Sequence, residues 1–247
     1  MDRKYLAISF LAILASFAGG FFAANALNRS ELNSLRTEVD HLNSASAAKL
    51  EPDNDASISD DELHAKIVEA DKNPTNFDYQ KNLGTALYQY ASMKRDDSLL
   101  KESIRILDRA SKLKADDVDV MVALGNAHFD IGYFSKIPAE MVASRKFYDE
   151  ALAVRPNDVE IRTDLGLTYF LADPPDDAKA IEEFQRSLKA DPKHTKTLEF
   201  MIQSLVRQNK VADAERYLEQ LKAADPSNET IAGLEAKVAQ AKTAPSK

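Results

Sequence analysis

The sequence predicts an all-α array of about four stacked helical hairpins with a helix at each end, set behind an apolar N-terminal segment. Three observations predict it. The chain of 247 residues has only 7 Gly and 9 Pro and is rich in Ala, Leu, Lys and Glu, which favour helices. A motif recurs at a fixed interval: KNLGTALY at 81–88, VALGNAHF at 122–129 and TDLGLTYF at 163–170, each 41 residues after the last. Residues Tyr5–Leu27 carry no charge over 23 positions.

Taken in order, the first element is that apolar segment. As a helix it would span about 30 Å, the thickness of the hydrocarbon core. Two readings stand. One is an uncleaved transmembrane anchor over residues 1–27. The other is a signal peptide, with Arg3-Lys4, an apolar run from Leu6 to Ala18, and Ala24-Asn25-Ala26 as the cleavage motif, giving a secreted form cut after Ala26. Both keep the basic end in the cytosol and export the rest. The expectation is a single-pass membrane protein with its array on the extracytoplasmic (periplasmic) side.

Residues 28–43 place Leu32, Leu35, Val39 and Leu42 at a and d heptad positions, a short amphipathic stalk that offers a homodimer contact. Residues 44–59 are small, polar and acidic, the composition of a flexible linker. From residue 60 to 242 helical periodicity takes over. DDELHAKIVEADK at 60–72 reads as a helix capped by Asp60 or Asp61, with Leu63, Ile67 and Ala70 inward.

The repeat follows. Gly84, Gly125 and Gly166 each stand after a Leu, with large residues three and four positions on. Downstream comes a small residue, a bulky one and another small one: Ser103, Leu107 and Ala110; Ser144, Tyr148 and Ala151; Ala180, Phe184 and Ser187. Pro156 and Pro192 then open the next helix. This is the pattern of two antiparallel helices in close contact, where small residues admit the neighbouring backbone and bulky ones fill the seam. A fourth copy runs from Thr195 through Met201-Ile202 to Ala214, Leu218, Leu221 and Pro226, with Ile202 where the others have Gly. NETIAGLEAKVAQAK at 228–242 closes the array with one apolar stripe, Ile231, Leu234 and Val238. Residues 243–247 read as a disordered tail.

Together these positions resemble the tetratricopeptide repeat (TPR), a helix–turn–helix of about 34 residues, over residues 77–226. The resemblance implies a TPR helical-hairpin solenoid of about four repeats with N- and C-terminal capping helices. The first two units depart from the family length: Gly84 to Ser103 and Gly125 to Ser144 are 19 residues apart, against about 12 in the family pattern. Either both helices of these hairpins are longer or a loop projects from the edge, and Pro138 favours a fresh helix start. The third unit has two extra residues, with ADPPDD at 172–177 holding the turn.

The TPR resemblance also implies a groove lined by the first helix of each hairpin. Carried over by position, it comprises Lys81, Thr85 and Tyr88; Val122, Asn126 and Phe129; Thr163, Leu167 and Phe170; and Gln203 and Arg207. Asp78, Gln89, Asp119, Asp130, Glu160, Leu171, Lys196, Glu199 and Val206 stand at further groove positions. Tyr88, Phe129 and Phe170 are equivalent. They form either a line of rings suited to an apolar or helical peptide or packing between neighbouring helices. TPR domains that hold chaperone C-termini use a clamp of Lys, Arg and Asn; this chain has Lys81 and Asn126 without the full set. Asp78, Asp119, Asp130 and Glu160 would repel an anionic peptide, so the expected protein or peptide partner is cationic or amphipathic.

A formal net charge of −8 excludes the basic footprint that nucleic acid requires. With 0 Cys there is no disulfide framework or thiolate site, and His41, His64, His128 and His194 show no metal-ligand spacing. No phosphate-binding loop or nucleophile elbow occurs. The paired acids Asp96-Asp97, Asp116-Asp117 and Asp176-Asp177 are read as turns and helix starts. No metal, cofactor or enzymatic activity is expected.

The expected function is a membrane-anchored, exported scaffold that binds a partner in its groove. Residues 62–84, ELHAKIVEADKNPTNFDYQKNLG, are similar to the start of the TPR arrays in membrane-bound factors of bacterial c-type cytochrome maturation. That resemblance implies holding an apocytochrome segment for haem attachment. A homo-oligomeric structural spacer and a general periplasmic holdase are the alternatives.

Overall fold

The structure, a computed structural model, describes residues 59–243. The expected anchor or signal over 1–27, the stalk over 28–43, nearly all of the linker and the last four residues of the tail lie outside the described residues. Among those described, no helix is long and apolar enough to cross a membrane. The chain divides into two units, Met1–Pro74 and Thr75–Lys247.

The described part of the first unit is α1, Asp60–Lys72. Its N-cap is Ser59, whose side chain accepts from the Glu62 amide at 3.2 Å. The cap thus falls one residue before the expected Asp60 or Asp61, because the hydroxyl caps the helix and leaves Asp60, Asp61 and Glu62 in the first turn, where negative charge suits the helix dipole. Leu63 and Ala70 are buried and Ile67 is half-buried, as the periodicity predicts.

The second unit is four hairpins and a closing helix: α2 (Phe77–Lys94) with α3 (Asp97–Leu113), α4 (Val118–Phe134) with α5 (Pro138–Val154), α6 (Val159–Phe170) with α7 (Asp177–Ala190), α8 (Thr195–Arg207) with α9 (Val211–Ala224), and α10 (Ile231–Thr243). Most of these helices start where the sequence supplies a cap or a proline. Asn76, Asp96, Asp117, Asp158 and Asp176 each accept amide hydrogen bonds at an N-cap, and Pro138 opens α5. The acid pairs are therefore capping chemistry.

Each of the first three hairpins closes on its glycine. A Cβ at Gly84 would lie 2.7 Å from Leu107 Cγ, at Gly125 2.7 Å from Tyr148 Cε1, and at Gly166 2.4 Å from Phe184 Cε1. The small residue of the first helix is thus the socket for the bulky residue of the second. In the fourth hairpin Ile202 replaces the glycine and is fully buried, and α9 offers Ala214, Leu218 and Leu221 to the same core.

The extra residues of the first two units lengthen the helices. α2 has 18 residues and α3 17, and α4 and α5 have 17 each, whereas α6 has 12 and α8 13. Hairpins stack through α3 on α4, α5 on α6, α7 on α8 and α9 on α10. First helices also touch one another, α2 on α4, α6 on α8 and α8 on α10, and so form an inner row. α4 and α6 meet less closely than these inner neighbours.

Candidate functional site

The inner row is the candidate site, since it brings one face of each first helix side by side. The structure sorts the expected groove residues into three groups. Some are core. Tyr88 and Phe170 are 6% and 7% exposed. Tyr88 packs with Ala91, Leu100, Ala127 and Ile131, and Phe170 packs edge-on to Phe200 with ring centroids 5.2 Å apart. Of the two readings of the rings, helix-to-helix packing describes these two, while Phe129 stays half-buried and stacks on Tyr133 at 6.1 Å. Leu167 and Thr163 are also buried. The Thr163 hydroxyl joins a closed set with Ser187 at 2.9 Å and Thr197 at 2.6 Å, and donates to the Val159 carbonyl at 2.7 Å.

A second group is occupied by internal partners. Lys81 Nζ donates to Asp117 and Asp119, each at 2.9 Å. Burial works against its charge, but these two carboxylates prevail and raise its pKa above that of a free lysine. Asn126 Oδ1 accepts from the Tyr148 hydroxyl at 2.6 Å. Both residues shared with the chaperone clamp are therefore engaged. Arg207 pairs with Asp177, donates to the Phe170 carbonyl at 2.9 Å, and lies 3.7 Å over the Phe170 ring. Gln203 Oε1 accepts from Lys237 at 3.0 Å.

The third group, Thr85, Gln89, Val122, Phe129 and Val206, is half-exposed along the row.

The electrostatics are uneven. Lys196 pairs with Asp164 at 2.7 Å across α6 and α8. Burial nevertheless pushes the Asp164 carboxyl up, against the pull of Lys196. Glu160 Oε1 meets His194 Nε2 at 2.8 Å. Burial disfavours the Glu160 anion, but the His194 hydrogen bond and charge prevail and hold it below the usual range. Asp130 differs from both. It is 9% exposed, and burial, with the neighbouring Asp164 charge adding to it, drives its carboxyl up to about 6 against the Ser92 hydrogen bond. Burial and the same two carboxylates also raise the Tyr88 and Tyr148 hydroxyls.

Asp164 and the role of His194 were not read from the sequence. Register carries the signal for Asp164: two residues before the repeat glycine, the second unit has Ala123 and the fourth has Phe200 at the matching place, so an acid there is out of pattern. Nothing in the spacing ties His194 to Glu160, 34 residues away.

Residues 178–238 match the family model described as Tetratricopeptide repeat. No curated protein matches the chain. Among solved structures, MamA is similar at 18% identity and a TM-score of 0.53, over 72% of this chain and 90% of that one. TTC0263, a thermophilic TPR protein of Thermus thermophilus, is similar at 12% identity and a TM-score of 0.51, over 74% of this chain and 90% of that one. By fold the protein is a TPR solenoid, and its last hairpins carry the family's own sequence pattern.

Proposed function

We propose that this protein is a membrane-tethered, exported TPR scaffold, not an enzyme, whose inner groove holds a segment of a partner protein during assembly of a membrane complex. One observation carries the reading. The inner row carries half-exposed Thr85 and Gln89 on α2 and Val122 and Phe129 on α4, two touching helices that offer a surface on which an extended or helical segment can lie. Charge supports a cationic or amphipathic segment. The row's cations Lys81, Lys196 and Arg207 are already paired with internal acids, so the row offers an anionic ligand little. The uncharged run Tyr5–Leu27 supports the tether and export. The likeness of residues 62–84 to c-type cytochrome maturation factors supports an apocytochrome segment as the client.

The test is a crosslinking capture from native membranes, comparing wild type with a Thr85→Arg/Gln89→Arg double variant shown by circular dichroism to be folded. One stoichiometric partner lost in the variant is the expected result. Unchanged recovery overturns the groove reading, and many weak clients would indicate a holdase instead. The chain has 0 Cys, so a Lys189→Cys variant tests topology directly: a membrane-impermeant maleimide should label it in spheroplasts without lysis. Detergent-phase mass of wild type against Leu35→Asn/Leu42→Asn tests the homodimer expected of the stalk.

A further inference from the structure

Among the acids of the inner row, Asp130 alone combines deep burial with no cation acting on it. Its Oδ2 is buried and accepts no hydrogen bond. The Ser92 hydroxyl supplies one bond to the carboxyl group, and the charged neighbour that acts on it is another carboxylate, Asp164. Asp164 has its own cation, Lys196 at 2.7 Å. The direction of Asp130 follows from what it influences. It acts on Tyr88 in α2 and Tyr148 in α5, and Asp164 in α6 acts on it. The carboxylate therefore lies near groups of α2, α5 and α6, beside the seam where α4 and α6 meet less closely than other inner neighbours.

A buried carboxylate oxygen with no donor is the costly half of an ion pair whose other half is missing. No group of three or more metal-ligating side chains lies together among the described residues, so a metal ion is a poor candidate for that half. An ammonium or guanidinium brings N–H donors and a full positive charge on a flexible stem that can reach past half-exposed neighbours. Phe129, one residue before, is half-buried and packs on the apolar cluster that begins in α6.

We propose that Asp130 anchors one basic side chain, Lys or Arg, of the protein segment bound in the inner groove. This rests on the scaffold reading above and adds the chemistry of one subsite to it. The bound cation donates a hydrogen bond to Asp130 Oδ2 and offsets the charge of the Asp130–Asp164 pair.

The experiment uses the full chain in nonionic detergent and a labelled amphipathic peptide of Leu, Ala and Lys, with a second peptide carrying Glu at every Lys position. Fluorescence anisotropy should show binding of the Lys peptide and weaker binding of the Glu peptide. Asp130→Asn should weaken the Lys peptide about tenfold or more. Asp78→Asn, which removes the same charge from an exposed position on α2, should weaken it much less. Equal effects of the two variants, or none from Asp130→Asn, overturn the anchor. Carbon-13 NMR of the wild type provides a readout that does not depend on how the variant folds: the titration midpoint of the Asp130 carboxyl should fall when the Lys peptide is added, and an unmoved midpoint overturns the proposal. If the wild type does not bind the Lys peptide, the anchor also fails, whereas the scaffold reading stands or falls by the native-membrane capture.

Discussion

The two halves of the array solve the same packing problem differently. In hairpins α6–α7 and α8–α9, helices of 12 to 14 residues share one apolar cluster with α10, from Leu167 and Phe184 through Met201 and Leu218 to Val238. In hairpins α2–α3 and α4–α5, helices of 17 or 18 residues are held by smaller separate clusters, around Tyr88 and Ile131, around Leu107 and Leu124, and around Tyr148 and Ile161. Both halves leave buried polar atoms without a partner, Glu160 Oε2 and Ser204 Oγ in the second half among them, and they differ in how they hold buried charge. The second half buries Thr163, Ser187 and Thr197 as a mutual set, and sets Glu183 between Arg162 at 3.0 Å and Arg186 at 2.7 Å. The first half buries Asp130 with an oxygen left over. A fold maximises stability by satisfying every buried group. The contrast therefore lies in buried charge: the second half pairs Glu183 with two arginines, and the first half holds Asp130 with no cation acting on it.

The largest expected effect tests the continuity of the second core. Phe184 is fully buried and fills the Gly166 socket. Phe184→Ala should cost about 3–5 kcal/mol in urea unfolding. Because a solenoid is held by nearest-neighbour contacts, hydrogen exchange should rise across α6–α10 more than in α2 and α3. A uniform loss of protection would mean that the halves are one cooperative unit and that the contrast has no energetic meaning.

Next in size is Asp130→Asn. The folded Asp130 carboxyl sits near 6, above its ordinary value of 3.8. Between those two values the folded chain binds more protons than the unfolded one, so stability falls as pH rises from about 4 to about 6 and stays lower above. The Asn variant lacks this loss. It should be more stable than wild type by about 3 kcal/mol at pH 8, the order of magnitude of such a shift, with the gap closing towards pH 4. Asp164 is also pushed up, but Lys196 offsets part of its burial cost, so Asp164→Asn should gain less at pH 8 than Asp130→Asn. Urea midpoints across pH read both. An equal or larger gain from Asp164→Asn, or none from Asp130→Asn, would erase the distinction between the partly compensated and the uncompensated acid.

The same contrast explains what was legible in the sequence. Gly84, Gly125 and Gly166, with Leu107, Tyr148 and Phe184, gave away the hairpins because a socket and its plug recur in register in the first three units. Asp96, Asp117 and Asp176 were readable because a cap acts on amides two or three residues away. The choice between longer helices and a projecting loop in the first half stayed open, since insertion length does not say how the residues are shared. The site was less legible. Whether Tyr88 and Phe170 line a groove or a core depends on the approach of neighbouring hairpins, and position within one repeat does not encode that distance. Nor does the sequence say that Lys81 is claimed by Asp117 or that Asp164 is claimed by Lys196, pairs 36 and 32 residues apart.

A smaller effect compares the sockets themselves. Replacing Gly by Ala inside a helix would by itself gain about 1 kcal/mol. At Gly166 the new methyl meets a rigid, fully buried ring at 2.4 Å; at Gly84 it meets the branched end of Leu107 at 2.7 and 2.9 Å. Overpacking should outweigh the propensity gain at Gly166, for a net loss of about 1–3 kcal/mol, while the longer contact to Leu107 should leave Gly84→Ala closer to neutral. Equal losses in urea unfolding would show that the first half is packed as tightly as the second.

The smallest effect concerns the end of the array. Gly233 lies in α10, and a Cβ there would meet nothing within 4 Å. With no socket to fill, the glycine contributes only backbone freedom that folding must remove. Gly233→Ala should therefore stabilise, by up to about 1 kcal/mol because the site is in the first turn, and raise the melting temperature by a few degrees. The sign is opposite to that expected at Gly166, although both residues are helical glycines. The difference lies in the neighbours: α10 rests on α8 and α9 through Leu234 and Val238, on the other side of the helix from solvent. A loss of stability in Gly233→Ala would mean that a further surface packs on this face of α10, and the array would not end there.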